Sequence, residues 1–287
     1  MITKNDSKSL VSVIDGLFRT FYSNGGKRIL RTLGFERPAK RLYARLLLSV
    51  VDDIRTVSID DVSASFRVSS PFEFDLFYNE GYNNEEAVLR DVLSHLESDD
   101  VFYDVGAHVG SYAIFAANAL DEGKAIGFEP HPENRQCLQE NAALNNGRIE
   151  SYRYALSDTE GRSEFAASGN AAEATGALHE GHTADGQTVS VETVPGDVLI
   201  DREEVPPPNV IKIDVEGAEL DVIHGLQSTL ERRTCRIVYC ECHPDELRRR
   251  GHATDAVERT LESLGFETEQ IHDRGDQPFV RAQRNQT

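Results

Sequence analysis

The stretch VFYDVGAHVGSYAIFAANAL, residues 101–120, places an acid and two glycines between an apolar strand and an apolar helix. Asp104 interrupts the apolar run, and Gly106 and Gly110 follow it, four residues apart. Glycines allow a backbone to bend sharply and to approach a ligand, while free N–H groups at the start of a helix favour an anion. The pattern predicts a ligand pocket. Because His108 occupies the middle glycine position of the dinucleotide fingerprint, a pyrophosphate-binding loop is not expected.

A second acid, Glu129, ends the next apolar segment in IGFEPHPEN, 25 residues after Asp104. A carboxylate at the end of the second strand can accept hydrogen bonds from both hydroxyls of a ribose. Taken alone, either acid is equally well explained as a helix cap or a solvated loop residue. Together they favour a ligand that carries a ribose, a small carboxylate and a positive centre.

The segment IKIDVEGAEL, residues 211–220, places a lysine inside an apolar strand. Strand alternation puts Lys212 and Asp214 on one face, with Asp214 at the carboxyl end. A buried ammonium needs an anionic partner, and Asp214 and Glu241 are the candidates. A purely structural ion pair explains Lys212 as well as one that shapes an active site. Glu241 and His243, in YCECHPDE, are expected at the same rim, where they would bind or deprotonate an acceptor.

Alternating strands and helices must position these residues. Strands are predicted at 101–106, 124–129, 149–156, 187–194, 197–200, 209–215, 235–242, 266–272 and 278–284, and helices at 84–97, 109–120, 132–146, 216–230 and 244–265. A hairpin with a turn at Asp60 and Asp61 precedes them, and the small, polar residues 165–187 are predicted to form a long loop. Continuous apolar strands in repeated strand–helix units indicate a parallel sheet covered on both faces.

Four segments resemble successive motifs of the FkbM family of S-adenosylmethionine-dependent methyltransferases: FYDVGAHVGSYAIFAA, GFEPHPENRQCLQENAALN, YALSDTEG and VIKIDVEGAELDVIHGL. The resemblance covers about residues 85–245 and depends on the order and spacing of the segments. It implies a class I methyltransferase fold, an α/β Rossmann-like seven-stranded sheet with the last strand antiparallel and helices on both faces. It also implies that S-adenosylmethionine binds across the carboxyl ends of the first four strands.

The resemblance assigns cofactor contacts to residues of the matching segments, namely Asp104, Gly106, Ala107, His108, Gly110, Ser111, Tyr112, Glu129, Pro130, Asn134, Ser157, Asp158 and Asp214. His108 stands where the family usually has asparagine, which affects the side-chain contact and not the backbone geometry. The catalytic candidates are Lys212, Asp214, Glu241 and His243. His179 and His182, on the long loop, are further candidate bases. Glu216 and Glu219 are sufficiently explained as partners of a helix dipole.

The expected reaction is transfer of a methyl group from S-adenosylmethionine to an oxygen of a small molecule or glycan, such as a lipid-linked sugar. Methyl transfer from a sulfonium depends on positioning, and a hydroxyl acceptor benefits from a base whereas a carboxylate needs none. No nucleic-acid partner and no metal are expected. The alternative is a non-catalytic module with the same fold that docks on a membrane or partner. A nucleotide-sugar or NAD enzyme is opposed by the missing second glycine.

The composition is acidic and poor in lysine. The 287 residues carry a net charge of -19, and six of the 30 basic residues are lysines. Because the acids are dispersed along the chain and arginine replaces lysine, the composition favours a protein from a halophile, whose charged surface keeps it hydrated in concentrated salt. An ordinary acidic protein is the alternative.

The N-terminal region has the opposite charge. Residues 1–50 contain ten basic and three acidic residues, whereas the remainder of the chain is strongly acidic. Apolar residues recur there at helical spacing, with breaks at Gly25, Gly26 and Pro38. Such helices bind an anionic membrane or an acidic partner, or they dock on the protein's own acidic body. The expected organisation is a basic helical appendage at 1–55, a hairpin and lead-in at 56–83, and a methyltransferase domain at 84–287.

Cysteine usage and the N-terminus bear on localisation. The cluster C-x4-C-x-C-H at 235–243 lacks the usual zinc spacing, so free thiols are favoured over a zinc site. The segment MITKNDSKSL has no apolar core of a signal peptide, and no apolar run is long enough to span a membrane. A cytoplasmic protein is expected, with peripheral membrane contact through residues 1–50 as a further expectation.

Overall fold

A seven-stranded sheet forms the centre of the larger of two units in the computed structural model. One unit consists of residues 1–57 and 65–83, and the other of residues 58–64 and 84–287. The structure describes residues 20–21, 26–32, 35, 39, 43, 53–70, 73, 76–77, 80–146, 148–166, 188–273, 275 and 277–285.

Strands and helices alternate along the described part of the chain. The strands are β1 (Ile54–Ile59), β2 (Val62–Arg67), β3 (Val101–Val105), β4 (Lys124–Phe128), β5 (Ile149–Tyr152), β6 (Ala155–Leu156), β7 (Gly161–Ala166), β8 (Thr188–Val194), β9 (Val210–Ile213), β10 (Ile237–Glu241), β11 (Glu267–Asp273) and β12 (Pro278–Gln283). The helices are α1 (Lys27–Thr32), α2 (Glu80–His95), α3 (Ser111–Ala119), α4 (Pro132–Ala142), α5 (Gly196–Asp201), α6 (Glu219–Gly225), α7 (Gln227–Leu230), α8 (Pro244–Arg249) and α9 (Ala256–Ser263).

The seven-stranded sheet has the order β11-β12-β10-β9-β3-β4-β5. The strands from β10 to β5 are parallel, and β12 runs antiparallel to both of its neighbours. The predicted fold class, with its last strand antiparallel, is confirmed. From β3 the chain passes to β4 and β5 on one side and later to β9 and β10 on the other. Ligands bind at such a reversal of strand order, beyond the carboxyl ends of the strands.

The central strands are buried on both faces, which is why they are continuous apolar runs in the sequence. Every residue of β9 and β10 is buried, and so are all but the first residues of β3 and β4. The main hydrophobic cluster includes Tyr103, Phe128, Ile211, Ile213 and Val238. The charged Lys212 therefore lies in the most apolar layer of the protein.

The strand predicted at 149–156 is wrong in its extent, because the chain changes sheets within it. β5 pairs with β4, whereas β6 pairs with β8 in a separate three-stranded sheet of order β6-β8-β7. The predicted loop at 165–187 begins within β7, which the sequence analysis did not predict. The rest of that loop, including His179 and His182, lies outside the described residues.

The strand predicted at 197–200 is a helix. Extended backbone at Pro195 precedes α5, and Leu199 packs into the core. The carboxylate of Asp197 accepts the N–H groups of Ser228 and Thr229 at 2.7 and 3.0 Å, which satisfies the start of α7. A four-residue apolar run does not distinguish a strand from a helix, and here tertiary packing decides.

Two predicted helices are each interrupted. The helix predicted at 216–230 divides into α6 and α7 at Leu226. Next to this break, a Cβ on Gly225 would lie 1.8 Å from the carbonyl oxygen of Ser157, so the glycine permits close packing. The helix predicted at 244–265 divides into α8 and α9 near Gly251, whose φ of +83° ends a helix readily.

The predicted hairpin is present, with β1 and β2 joined at Asp60 and Asp61. Of the helices predicted within residues 1–50, the structure describes α1, and most of the remaining positions lie outside the described residues. Among the residues that are described, no helix has the length and apolar character needed to cross a membrane.

Candidate active site

The predicted site residues converge at the carboxyl edge of the central strands. Asp104 and Lys212 are adjacent in the register of β3 and β9. The other acidic and basic candidates lie at or just beyond strand ends: Glu129 after β4, Asp214 after β9, and Glu241 and His243 at the end of β10. The parallel sheet brings them to one edge, as the sequence predicted.

Lys212 is held by two carboxylates. Its Nζ lies 3.1 Å from Oδ1 of Asp104 and 3.2 Å from Oδ2 of Asp214, and it donates to the carbonyl oxygen of Gly106 at 3.4 Å. The ring of Tyr112 lies 4.9 Å away. Asp214 was predicted as a partner, whereas the contact with Asp104 was not.

Asp104 extends this network into α3. Its Oδ2 accepts the N–H of Ala113 at 3.0 Å, so the first turn of α3 is bonded to the middle of the sheet. Burial raises the pKa of Asp104, and Lys212 offsets part of that effect. Asp104 is fully buried. A direct contact between Asp104 and the cofactor stays a prediction.

Glu129 is a buried carboxylate cradled by two loops. Oε2 accepts the N–H of His108 and Oε1 accepts the N–H of His131, each at 2.8 Å. Asn134 also donates a side-chain hydrogen bond to it. Burial raises the pKa of Glu129 to about 7, although these hydrogen bonds act in the opposite direction. The group therefore changes charge near neutral pH.

The glycine loop is shaped by the neighbouring strand. Gly106 has a φ of +81°, and a Cβ there would lie 2.0 Å from the carbonyl oxygen of Asp214. The N–H groups of Gly106 and Ala107 both donate to the carbonyl of Phe128, at 3.0 and 3.1 Å. Glycine is needed at position 106 because the chain after β3 comes so close to the end of β9 that a side chain would not fit. Gly110, with a φ of +90°, precedes α3.

His108 has a left-handed backbone, with a φ of 49°. Asparagine and histidine are among the few residues other than glycine that are enriched in this conformation. This gives a physical reason why histidine can stand where the resemblance to the FkbM family leads us to expect asparagine. Burial lowers the pKa of His108 to about 4, so the ring is neutral at physiological pH.

A buried carboxylate–imidazole pair lies beside the end of β10. Oε1 of Glu219 lies 2.7 Å from Nδ1 of His243 and accepts two backbone N–H groups, those of His243 and Gly217, each at 3.2 Å. Burial alone would lower the pKa of His243, but Glu219, Asp214 and Glu241 raise it to about 9. His243 was predicted at this rim. Glu219 was missed, because an acid in the first turn of a helix is fully explained by the helix dipole.

The remaining predicted cofactor residues surround the same edge. Ser111 and Tyr112 begin α3, and Pro130 follows Glu129. Ser157 and Asp158 follow β6, where Ser157 is buried and Asp158 is exposed. Their contacts with a cofactor stay predictions.

None of the four cysteines forms a disulfide bond, and the cysteines of the cluster at 235–243, Cys235, Cys240 and Cys242, are buried. Within the described ranges, no group of three or more histidine, cysteine or acidic side chains could hold a metal ion.

The donors and acceptors fit S-adenosylmethionine. The two oxygens of Glu129 accept two backbone N–H groups and one side-chain hydrogen bond from Asn134, so the carboxylate keeps an acceptor site for a ribose hydroxyl. The partly exposed carboxylate of Asp214 suits a ligand with a positive centre. The identity of each contact remains a prediction.

The chain is similar to known methyltransferases. The methyltransferase FkbM domain matches residues 104–268. The hexuronic acid methyltransferase AglP of Haloferax volcanii is 32% identical over 234 residues, which cover 80% of this chain and 90% of that protein. The 2-O-methyltransferase NoeI of Sinorhizobium fredii is 30% identical over 56% of this chain and 70% of that protein. Among solved structures, a precorrin-6y C5,15-methyltransferase of Geobacter metallireducens aligns with a TM-score of 0.43 at 14% identity, covering 70% of this chain and 89% of that chain.

The buried network predicts a large effect of Lys212→Met on stability. The substitution leaves two carboxylates close together without their cation, so we expect the free energy of unfolding to fall by about 3–5 kcal/mol. Lys124→Met is the matched control, because Lys124 pairs with Glu150 at 2.8 Å but is 39% exposed, and its loss should cost about 0–1 kcal/mol. Urea unfolding at a fixed salt concentration measures both.

Combining Lys212→Met with Asp104→Asn removes one uncompensated charge and should restore part of the lost stability. Equal losses for Lys212→Met and Lys124→Met would contradict the assignment of a buried, tightly coupled network.

Proposed function

The chain belongs to the FkbM family of S-adenosylmethionine-dependent methyltransferases, and we propose that its acceptor is an oxygen atom of a hexuronic acid in a glycan. The observation that carries the proposal is the 32% identity to a hexuronic acid methyltransferase over 90% of that protein's length. The 2-O-methyltransferase NoeI supports the transfer to oxygen. AglP and NoeI are both named as methyltransferases, which favours an enzyme over a non-catalytic module.

On the cofactor side, we assign the ribose contact to Glu129. The glycine loop around Gly106 and Gly110 then forms the floor next to Asp214, whose side chain is 31% exposed. S-adenosylmethionine supplies a methyl group on a positively charged sulfur, and methyl transfer breaks the C–S bond, forms a C–O bond and releases a neutral thioether. The protein's contribution is to exclude water and to align the acceptor oxygen.

The acceptor side has few groups that can accept a proton at neutral pH. With its pKa raised to about 9, His243 is protonated and cannot act as a base there. Asp214 is paired with Lys212 at 3.2 Å and its side chain is 31% exposed. A hydroxyl acceptor would therefore give its proton to Asp214 or Glu241, whereas a carboxylate acceptor has no proton to lose.

The raised pKa of Glu129 predicts a pH-dependent affinity for the cofactor. The ionised carboxylate is the better acceptor of ribose O–H groups, so affinity should rise as the pH increases through about 7. Since the folded pKa lies above the ordinary value, the same ionisation lowers fold stability as the pH rises from about 4.5 to about 7. Calorimetric titration and thermal unfolding should thus show opposite trends.

Glu129→Gln should remove the pH dependence of binding and weaken the cofactor by about 2 kcal/mol at pH 8. The matched control is Glu133→Gln, because Glu133 is exposed in the first turn of α4. Unchanged affinity in folded Glu129→Gln protein would contradict the assignment of the ribose contact.

If the acceptor is a hexuronic acid, the protein should distinguish between two sugar probes that differ at one carbon. We expect the protein to methylate p-nitrophenyl glucuronide and to methylate p-nitrophenyl glucoside at least about tenfold less efficiently, because only the former has a carboxylate. Mass spectrometry detects the added methyl group. Cleavage of the product by mild alkali identifies an ester, and resistance identifies an ether. Equal turnover of both probes, or turnover of the glucoside alone, would contradict the proposed acceptor.

We further propose that the basic segment of residues 1–50 contacts an anionic membrane surface. Two observations support it: the ten basic residues among residues 1–50, and three exposed apolar side chains, Phe21, Ile29 and Phe35, at 49%, 56% and 60% exposure. Apolar insertion combined with basic contacts is the usual mode of such binding. A lipid-linked glycan would then be met at the membrane surface.

Full-length protein should sediment with phosphatidylglycerol vesicles, and the pair Ile29→Ser and Phe35→Ser should reduce the bound fraction about fivefold. Ile54→Ser is the control, because Ile54 is also an exposed apolar residue but lies beyond residues 1–50. Binding should weaken in molar salt, since the Debye length falls to about 3 Å. Absence of wild-type binding at both low and molar salt would contradict the membrane proposal.

A further inference from the structure

Glu219 and His243 form a pair with several hydrogen bonds. An acid that only complements a helix dipole would not need these bonds. One oxygen of Glu219 is bound both by Nδ1 of the His243 ring and by the backbone N–H of the same residue, at 2.7 and 3.2 Å. Two bonds from one residue to one atom fix the ring plane. The N–H of Gly217 fixes the carboxylate from the other side, at 3.2 Å.

Glu219 is fully buried, and its Oε2 has no hydrogen-bond partner among the described residues. A buried carboxylate is costly unless a cation neutralises it. The imidazolium of His243 is that cation. The arrangement therefore holds a positive ring in one orientation, with Nδ1 turned inward toward α6.

The second ring nitrogen is turned the other way. Nε2 of His243 has no partner within the part of the chain that the structure describes, and the side chain keeps 9% exposure. The charged groups that face the ring are Glu219 from α6, Glu241 from β10 and Asp214 from the end of β9. Lys212 is engaged by Asp104 and Asp214 and is 3% exposed, so its charge is already neutralised.

The ring therefore presents an N–H donor with a positive charge beside the carboxylates of Glu219, Glu241 and Asp214. Such a donor forms its strongest hydrogen bonds with an anion, because opposite charges on donor and acceptor attract each other in addition to the hydrogen bond. The surrounding carboxylates would repel an anion anywhere else on this rim. An anionic acceptor consequently has one favourable point of attachment among these groups.

We propose that Nε2–H of His243 binds the carboxylate of the acceptor, and that Glu219 is a positioning residue that fixes the ring and keeps it protonated. This inference depends on the proposed function, because it takes a hexuronic acid as the acceptor. It adds the contact that selects an acidic sugar over a neutral one. The contact holds the acceptor whether the methyl group goes to the carboxylate or to a ring hydroxyl.

The test compares wild type, His243→Gln and Glu219→Gln with p-nitrophenyl glucuronide as the acceptor. Glutamine keeps a neutral hydrogen-bond donor at position 243 and removes the charge. We expect His243→Gln to raise KM for the glucuronide about tenfold or more at pH 7.5, with the dissociation constant of S-adenosylmethionine unchanged within about twofold. His224→Gln is the matched control, because His224 is an exposed histidine on the same helix as Glu219.

The pH profile separates positioning from a general structural role. Because the cation is lost as the pH rises through about 9, KM of the wild type should rise above that pH. The profile of His243→Gln should be flat. In Glu219→Gln the rise should begin at least about one pH unit lower, since the largest contribution that raises the pKa of His243 is removed.

Equal KM values for wild type and His243→Gln would overturn the inference, and so would a wild-type profile that is flat to pH 10. An unchanged profile in Glu219→Gln would overturn the positioning role of that residue. Thermal unfolding and cofactor titration show whether each variant is folded. Failure of the wild type to methylate the glucuronide at all would contradict the proposed function itself, and the inference would fall with it.

Discussion

A single buried ammonium group connects the parts of the site. Lys212 lies beside Asp104 across β9 and β3, at the point where the strand order reverses, and it also contacts the Gly106 carbonyl and Asp214. Asp104 in turn accepts the N–H of Ala113 at the start of α3. The two central strands, the glycine loop and the helix behind it are therefore fixed relative to one another by one cation. A charge in this layer is tolerated only because its partners surround it.

The sequence predicts the strands well because burial on both faces leaves a distinctive pattern. β3, β4, β9 and β10 each lie within the predicted ranges, since an uninterrupted apolar run of that length has few alternatives. The errors occur where a short apolar run or a glycine is ambiguous. Residues 197–200 form a helix because Asp197 and Leu199 find partners far along the chain, and Gly251 ends a helix that periodicity alone would continue.

The sequence predicts which residues form the site better than it predicts their contacts and their ionisation states. The rule that ligands bind at the carboxyl ends of parallel strands brings Glu129, Asp214, Glu241 and His243 together. The pairing of Lys212 with Asp104 depends on a register between strands more than 100 residues apart, which no local pattern encodes. The ionisation states of the site residues cannot be predicted from the sequence either, because they depend on how far each group is removed from water. Burial raises the pKa of Glu129, whereas the carboxylates around His243 outweigh burial and raise its pKa.

Burial also explains how this site can depend on charge in a protein whose composition suits concentrated salt. Exposed pairs such as Arg202 with Glu160 are screened within about 3 Å at molar ionic strength, so they contribute little there. The ion pairs of Lys212 and the contact between Glu219 and His243 are shielded from salt by the protein around them. Salt therefore weakens the surface electrostatics and leaves those of the active site largely intact. This difference gives a physical reason for a lysine-poor chain to keep a lysine at the centre of its sheet.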